Sequence, residues 1–197
     1  MQLRAGIPTA SEFDQLVTPG FEIRKGEMPR TYLAKKLAEW WLGGPIATLN
    51  TFDMDQGQVL EEEALPFFEL VSGLSLRRVG FITNDDGTYG CSPDGLLDDG
   101  SGIEIKCPAV HTHTKYLLNG DLPPEYGPQV HGAMFVTGAQ SWRFLSYCRR
   151  FPALNLVVAR DEEKAGAIAA ALSSFLRSFS EAKDRLIEVN GGEPKRP

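Results

Sequence analysis

Asp94, Glu104 and Lys106 carry the strongest chemical signal in this sequence. Ser92-Pro93-Asp94-Gly95 is followed by an Asp98-Asp99-Gly100 turn and then by Gly102-Ile103-Glu104-Ile105-Lys106. A hairpin of this spacing sets Asp94 near the start of one strand. Because strand side chains repeat every two residues, Glu104 and Lys106 share a face of the next strand. Ile105 then points the other way, into the core, and its carbonyl is left as a further oxygen donor. Two carboxylates and a carbonyl suit a hard divalent cation such as Mg²⁺, which prefers oxygen ligands and keeps several waters. Such an ion acidifies a bound water and offsets charge building on a phosphate, while a neighbouring Lys106 can orient that water. The pattern therefore predicts phosphodiester hydrolysis. A lone Glu-x-Lys pair on a surface hairpin is common; Ser-Pro-Asp-Gly ahead of it at hairpin spacing sets this one apart.

The elements that must position these residues are legible from periodicity. A short helix is expected over residues 9–17, with Ser11 as its N-cap. A longer one over 31–42 carries Leu33, Leu37, Trp40 and Trp41 on its apolar side, and a third spans 58–71. Extended runs follow at 78–83, 89–92, 102–107, 141–147 and 155–159, with a crossover helix over 125–136 and a long helix over 161–189. The order predicts one α/β domain over residues 1–197, a mixed central sheet flanked by helices, with 190–197 a frayed tail.

Charge is distributed unevenly. The chain has 20 Lys and Arg against 26 Asp and Glu, a net charge of -6, which argues against a protein that coats nucleic acid through bulk charge. Residues 51–69 and 85–104 hold 12 of the acids and no base, so the rest of the chain is net basic. Three cysteines without a CxxC pair suggest neither a disulfide framework nor structural zinc, and point to a reduced compartment. No signal peptide or membrane-spanning run is evident, so a soluble cytoplasmic protein is expected.

The segment CSPDGLLDDGSGIEIKCP, residues 91–108, resembles the signature of the phage-lambda-type exonucleases, the viral alkaline exonuclease and recombinase branch of the PD-(D/E)xK nuclease superfamily. Gly57-Gln58-Val59-Leu60-Glu61-Glu62-Glu63-Ala64 is similar to the family's helix bearing a further metal-site glutamate, which falls on Glu61. Tyr126 and Gln129, with Gly127 and Pro128 between them, resemble its Tyr-x-x-Gln helix. Arg4 with Thr9, Ala10 and Ser11 is similar to its Arg…Thr-Ala-Ser element. The match covers residues 4 to about 150.

The resemblance implies a restriction-endonuclease-like core. It places Asp94, Glu104 and the Ile105 carbonyl on one metal, Lys106 beside the attacking water, Glu61 on a second ion about 3.5–4 Å away, and Gln129 steering Lys106 or the phosphate. Arg4, Ser11 and Ser92 are implied to hold a 5′-phosphate, and an Arg fork with two hydroxyls is a sound phosphate receiver. The implied activity is Mg²⁺-dependent (Mn²⁺ substituting) 5′–3′ hydrolysis of one strand of linear duplex DNA to mononucleotides. Its implied partners are double-stranded DNA ends, two further copies in a homotrimeric ring, and a single-strand annealing protein. A phage or prophage origin in a bacterial host is implied as well. The alternatives are a sequence- or structure-specific endonuclease of the same core and a non-catalytic DNA-end binding module. A related branch with an iron–sulfur cluster needs four clustered cysteines, which Cys91, Cys107 and Cys148 do not supply. Among weaker candidates, His131 reads as a packed or surface residue, and His111 and His113 as loop residues not essential to the chemistry. Trp40 and Trp41 read as core or subunit-face residues. Arg24, Lys25 and Arg30 mark either a DNA-contacting loop or a solvated one.

Overall fold

Strand alternation and a parallel pairing together account for the centre of the molecule. The computed structural model describes residues 4–46 and 52–194, without the side chains of 52–59. Ahead of the centre lie helices α1 (Glu27–Leu42) and α2 (Phe52–Ser72), then β1 (Ile82–Thr83) and β2 (Gly90–Cys91), which pair antiparallel as a small separate sheet. The main sheet runs β3 (Gly95–Leu96), β4 (Gly102–Lys106), β5 (Ser141–Ser146) and β6 (Leu154–Ala159), in that spatial order. Strand β4 is antiparallel to β3 but parallel to β5, in the register Gly102↔Trp142 to Lys106↔Ser146. A parallel pair needs a long crossover, here supplied by α3 (Val110–Asn119) and α4 (Gly127–Thr137). The closing helix α5 (Glu162–Asn190) starts from Asp161, whose side chain accepts from the N–H groups of Glu163 and Lys164, and ends at a left-handed Gly191.

Both faces of β4 are covered, which is why its sequence reads as nearly all buried. Ile103 and Ile105 pack with Ala64 and Phe68 of α2 and Leu145 of β5. The opposite face meets the larger core, where Trp142 and Phe144 join Val130, Ala133 and Met134 of α4 and Phe13 of the N-terminal turn. Two glycines make this packing close. A side chain on Gly102 would run into the Trp142 indole, its cross-strand partner, and one on Gly132 would meet the Phe13 ring. The second contact seats the N-terminal turn directly on α4.

Several expectations are corrected. Residues 9–17 form a 3-10 turn, Ala10–Gln15, in which Thr9 holds the N-cap position and Ser11 lies inside. The helix expected over 31–42 begins at Glu27, and its buried residues are Tyr32, Lys36 and Glu39. Leu33, Leu37, Trp40 and Trp41 are only half-buried. The runs at 78–83 and 89–92 each shorten to a two-residue strand. Helix α3 takes the place of a loop around His111 and His113, and α4 begins at Gly127 after a 3-10 turn at Pro124–Tyr126. The tail is helical to Asn190, and residues 195–197 of the expected frayed end lie outside those described. No helix among the described residues is long and apolar enough to cross a membrane.

Candidate active site

The predicted hairpin forms, and it ends abruptly. Strand β3 is only two residues long, so at Ile105 the ladder has no strand partner on that side. The Ile105 N–H instead donates to Asp94 Oδ2 at 2.6 Å. The N–H and C=O of a strand residue point the same way, so the Ile105 carbonyl faces this open edge too. On the α4 face of the strand, Lys106 Nζ lies 2.6 Å from Glu104 Oε1, and Gln129 Nε2 donates to the same oxygen at 2.6 Å. The Lys106 ammonium sits 5.3 Å from the centroid of the Tyr126 ring, which itself packs on Phe144. Gln129 therefore touches Glu104, where the resemblance implied Lys106 or the phosphate.

Glu61 approaches from α2. It lines a cleft of about 310 Å³ with Asp94, Ile105, Arg78 and the more exposed Glu62. Glu63, one position further round the helix, is turned outward into a two-pronged ion pair with Arg149, Nε to Oε2 being 2.7 Å. Among the three consecutive glutamates, then, Glu61 and Glu62 border the cleft and Glu63 does not.

The electrostatics show a site short of positive charge. Burial pushes the Glu104 carboxyl up to about 7, with Asp94 and Glu61 adding to the shift and Lys106 opposing it. Asp94 is raised mainly by burial, against the pull of the Ile105 N–H, Lys106 and Arg78. Glu61 is raised by burial and by Asp94. Burial works against the Lys106 charge, but attraction to Glu104 and Asp94 outweighs it and the ammonium is held above its usual range. Three carboxylates that resist ionisation beside one another, with a carbonyl at the open strand edge, are a hard-cation donor set. Among the described residues no three acidic, histidine or cysteine side chains are already closed on one point; Glu104 is engaged by Lys106 and Gln129 instead.

Two of the segments that carry the expected phosphate residues pair with each other. Thr9 forms a parallel bridge to Gly90, and the Gly90 N–H donates to Pro8 O at 3.0 Å. Ser92 follows Gly90 by two residues, and Ser11 follows Thr9 by two, inside the 3-10 turn. The Arg4 guanidinium lies 5.1 Å from the Phe81 ring, next to β1. Arg4, Ser11 and Ser92 are all exposed.

The remaining candidates sort plainly. His131 is buried, 3.3 Å from Lys164 Nζ, and burial depresses its pKa to about 4. His113 is fully buried, bonded to Ser146 Oγ at 2.7 Å and Pro152 O at 2.9 Å, while His111 is exposed. Arg24 is held through its Nε, which donates to Asp14 O and Val17 O at 2.5 and 3.1 Å, whereas Lys25 and Arg30 are exposed. Trp40 and Trp41 meet edge to face, with Lys183 above Trp40. Sequence reasoning passed over Arg78, whose charge opposes the rise of Asp94; its only signal was a basic residue opening a predicted strand.

The fold and these residues define a class. The chain belongs to the YqaJ-like viral recombinase domain family, whose model matches residues 1–140. It is similar to the alkaline exonuclease LHK-Exo from Laribacter hongkongensis, at 28% identity over 95% of both chains with a TM-score of 0.85. Against the same protein in complex with dAMP the TM-score is 0.87, with 96% of both chains covered. A phage-related exonuclease from Haemophilus somnus 129PT shares the fold at 13% identity, covering 91% of this chain and 96% of the other with a TM-score of 0.71. No curated protein matches the chain.

Proposed function

We propose that the chain is a Mg²⁺-dependent exonuclease that hydrolyses one strand of linear duplex DNA from its 5′ end, releasing mononucleotides and leaving a 3′ single strand. The observation that carries the reading is the open edge of β4, where Asp94, Glu61 and the Ile105 carbonyl border one cleft and Glu104 and Lys106 project beside it. Membership of a viral recombinase family and similarity to a protein titled an alkaline exonuclease, with dAMP bound in one structure, support the nuclease class.

In this reading Asp94, Glu104 and the Ile105 carbonyl hold one Mg²⁺ and Glu61 helps to hold a second, with Mn²⁺ able to substitute. When bound, the ions acidify a water and offset charge on the scissile phosphate. The chain's own residues do the rest. Lys106, tethered by Glu104 and faced by the Tyr126 ring, keeps its proton and presents an ammonium to the attacking water and the phosphate. Gln129 fixes Glu104 Oε1 through its amide, so the pair cannot swing freely. Arg4, Ser11 and Ser92 receive the terminal 5′-phosphate and so set which bond reaches the metal site. A homotrimeric ring enclosing DNA, and hand-over of the 3′ strand to a single-strand annealing protein, complete the proposal.

The test is a set of linear duplexes labelled at the 5′ or the 3′ end, beside a covalently closed plasmid, with Mg²⁺ or with chelator. Mononucleotides should appear from the 5′ side of linear substrates only, and chelator should stop their release. Rapid cutting of the closed circle would favour an endonuclease; DNA binding without hydrolysis would leave only an end-binding module.

A further inference from the structure

A second buried cluster of charge lies away from β4, between α1 and the N-terminal turn. Lys36 and Glu39 are 3% and 5% exposed, and their charged atoms are 3.0 Å apart. Lys36 Nζ is also 2.7 Å from Glu12 Oε2, Lys35 Nζ is 2.7 Å from Glu12 Oε1, and the Tyr32 hydroxyl donates to Glu12 at 3.1 Å. At the other end of the segment the Gly6 N–H donates to Glu39 at 3.5 Å. Residues 6–12 are thus anchored at both ends to α1. Buried ion pairs of this kind return little net stability, because desolvation offsets attraction; what they fix is position.

Thr9 extends the cluster to the surface. Its hydroxyl, 4% exposed as a residue, donates to Glu12 Oε2 at 3.3 Å and lies 3.1 Å from Ser11 Oγ. An ionised carboxylate only accepts hydrogen bonds, and a hydroxyl has one proton to give. While Thr9 donates to Glu12, the Thr9–Ser11 bond must run from the Ser11 hydroxyl, and Ser11 has no proton left for an anion. Glu12 already has Lys35, Lys36 and Tyr32 as donors, so it can release Thr9. The Thr9 proton then turns to Ser11 Oγ, and the Ser11 proton turns outward.

We propose that Thr9, held by the Lys36–Glu12–Glu39 cluster, is a positioning residue that sets the direction of the Ser11 hydroxyl and so distinguishes phosphorylated from unphosphorylated 5′ DNA ends. The inference rests on the reading of Arg4, Ser11 and Ser92 as a 5′-phosphate receiver. It separates a buried relay, which carries no contact with DNA, from the exposed groups that make that contact.

The experiment compares linear duplexes with 5′-phosphate and 5′-hydroxyl ends, as kcat/KM with Mg²⁺ and as Kd by fluorescence anisotropy without divalent metal. Thr9→Val, which keeps the shape and loses the hydroxyl, should reduce the preference for phosphate about fivefold, the worth of one hydrogen bond, through KM rather than kcat. Thr9→Ser should restore it. Thr9→Val combined with Ser11→Ala should be no worse than Ser11→Ala alone, since the first acts through the second. Lys36→Met with Glu39→Gln, which removes both buried charges together, should lower the same ratio. Equal losses on both ends, or an unchanged ratio in a wild-type protein that prefers phosphate, would overturn the relay and leave the receiver standing. A wild-type protein with no preference would remove the receiver and the relay with it.

Discussion

Glu104 with Lys106 and Glu12 with Lys36 are built from the same residue types, both within the folded interior, yet their environments push them in opposite directions. Around Glu104, three carboxylates share Lys106 and the exposed Arg78, and the acid is raised to about 7. Around Glu12, burial also raises the acid, but hydrogen bonds and attraction from Lys35 and Lys36 outweigh it and the carboxyl is held below its ordinary value. Two lysines there face Glu12 and Glu39. What separates a cluster fit for cation chemistry from one fit for holding a segment in place is its charge balance, not its composition. The first leaves negative charge uncompensated for an incoming ion; the second is complete as folded.

The largest effect expected from breaking this contrast is catalytic. Lys106→Ala should lower kcat on linear duplex by about 100- to 1,000-fold, the scale of losing one electrostatic donor at a transition state. Activity that survives intact would undo the assignment of the β4 edge. On the other side, Lys36→Met should cost about 3–5 kcal/mol of stability by stranding buried carboxylates, readable in urea unfolding. Adding Glu39→Gln should recover part of that loss.

Opposed pH slopes would sharpen the comparison further. Glu104 titrates in the folded protein near 7, above the ordinary glutamate value of 4.5. Its contribution to stability is therefore complete below pH 4.5 and is lost as pH rises through 7. Metal-free Glu104→Gln should flatten that decline in thermal midpoint between pH 5 and 8. For Glu12 the sign reverses: its contribution is present above 4.5 and is lost as pH falls below that value, through a folded pKa that is depressed. Amide protection in residues 6–12, taken relative to the intrinsic exchange rate at each pH, should accordingly fall on acidification, before protection around β4 does. A slope of the same sign in both regions would break the distinction. The smallest effect belongs to the exposed Glu63–Arg149 pair. Glu63→Gln should leave the thermal midpoint nearly unchanged, and a large drop there would mean that the pair does more than decorate the outer side of α2.

How much of this was legible in the sequence follows the same line. Asp94, Glu104 and Lys106 could be placed because a period of two and a turn fix their geometry locally. The long α5 was legible because its apolar residues recur at helical spacing. Lys36 and Glu39 were not, since charged residues on a helix read as its wet face, and only the N-terminal turn folding back supplies Glu12 to bury them. Helix α3 escaped for a related reason. Its sequence, Val-His-Thr-His-Thr-Lys-Tyr-Leu-Leu-Asn, buries His113 and Tyr116, while Leu118 stays 82% exposed, so its inner face is carried in part by a histidine that reads as polar. The grouping of Arg4, Ser11 and Ser92 came from family resemblance; the Thr9–Gly90 bridge that brings their segments together is a long-range pairing with no local signal.

The shortness of β3 can be traced to a single imino acid. Beyond the Gly95↔Ile103 pair the strand slips, since the Asp94 N–H also donates to Ile103 O at 3.2 Å, and the next residue in line is Pro93. Proline has no N–H to offer the facing carbonyl, so the hairpin cannot zip past Asp94. Pro93 thus acts as a stop that holds the seam ajar, and the Asp94 carboxylate takes over the one strand N–H that the stop strands. The proline of the Ser-Pro-Asp-Gly motif touches no reactant, yet it guarantees an aperture. A chain that replaced it with a residue able to pair would be free to seal that edge with backbone.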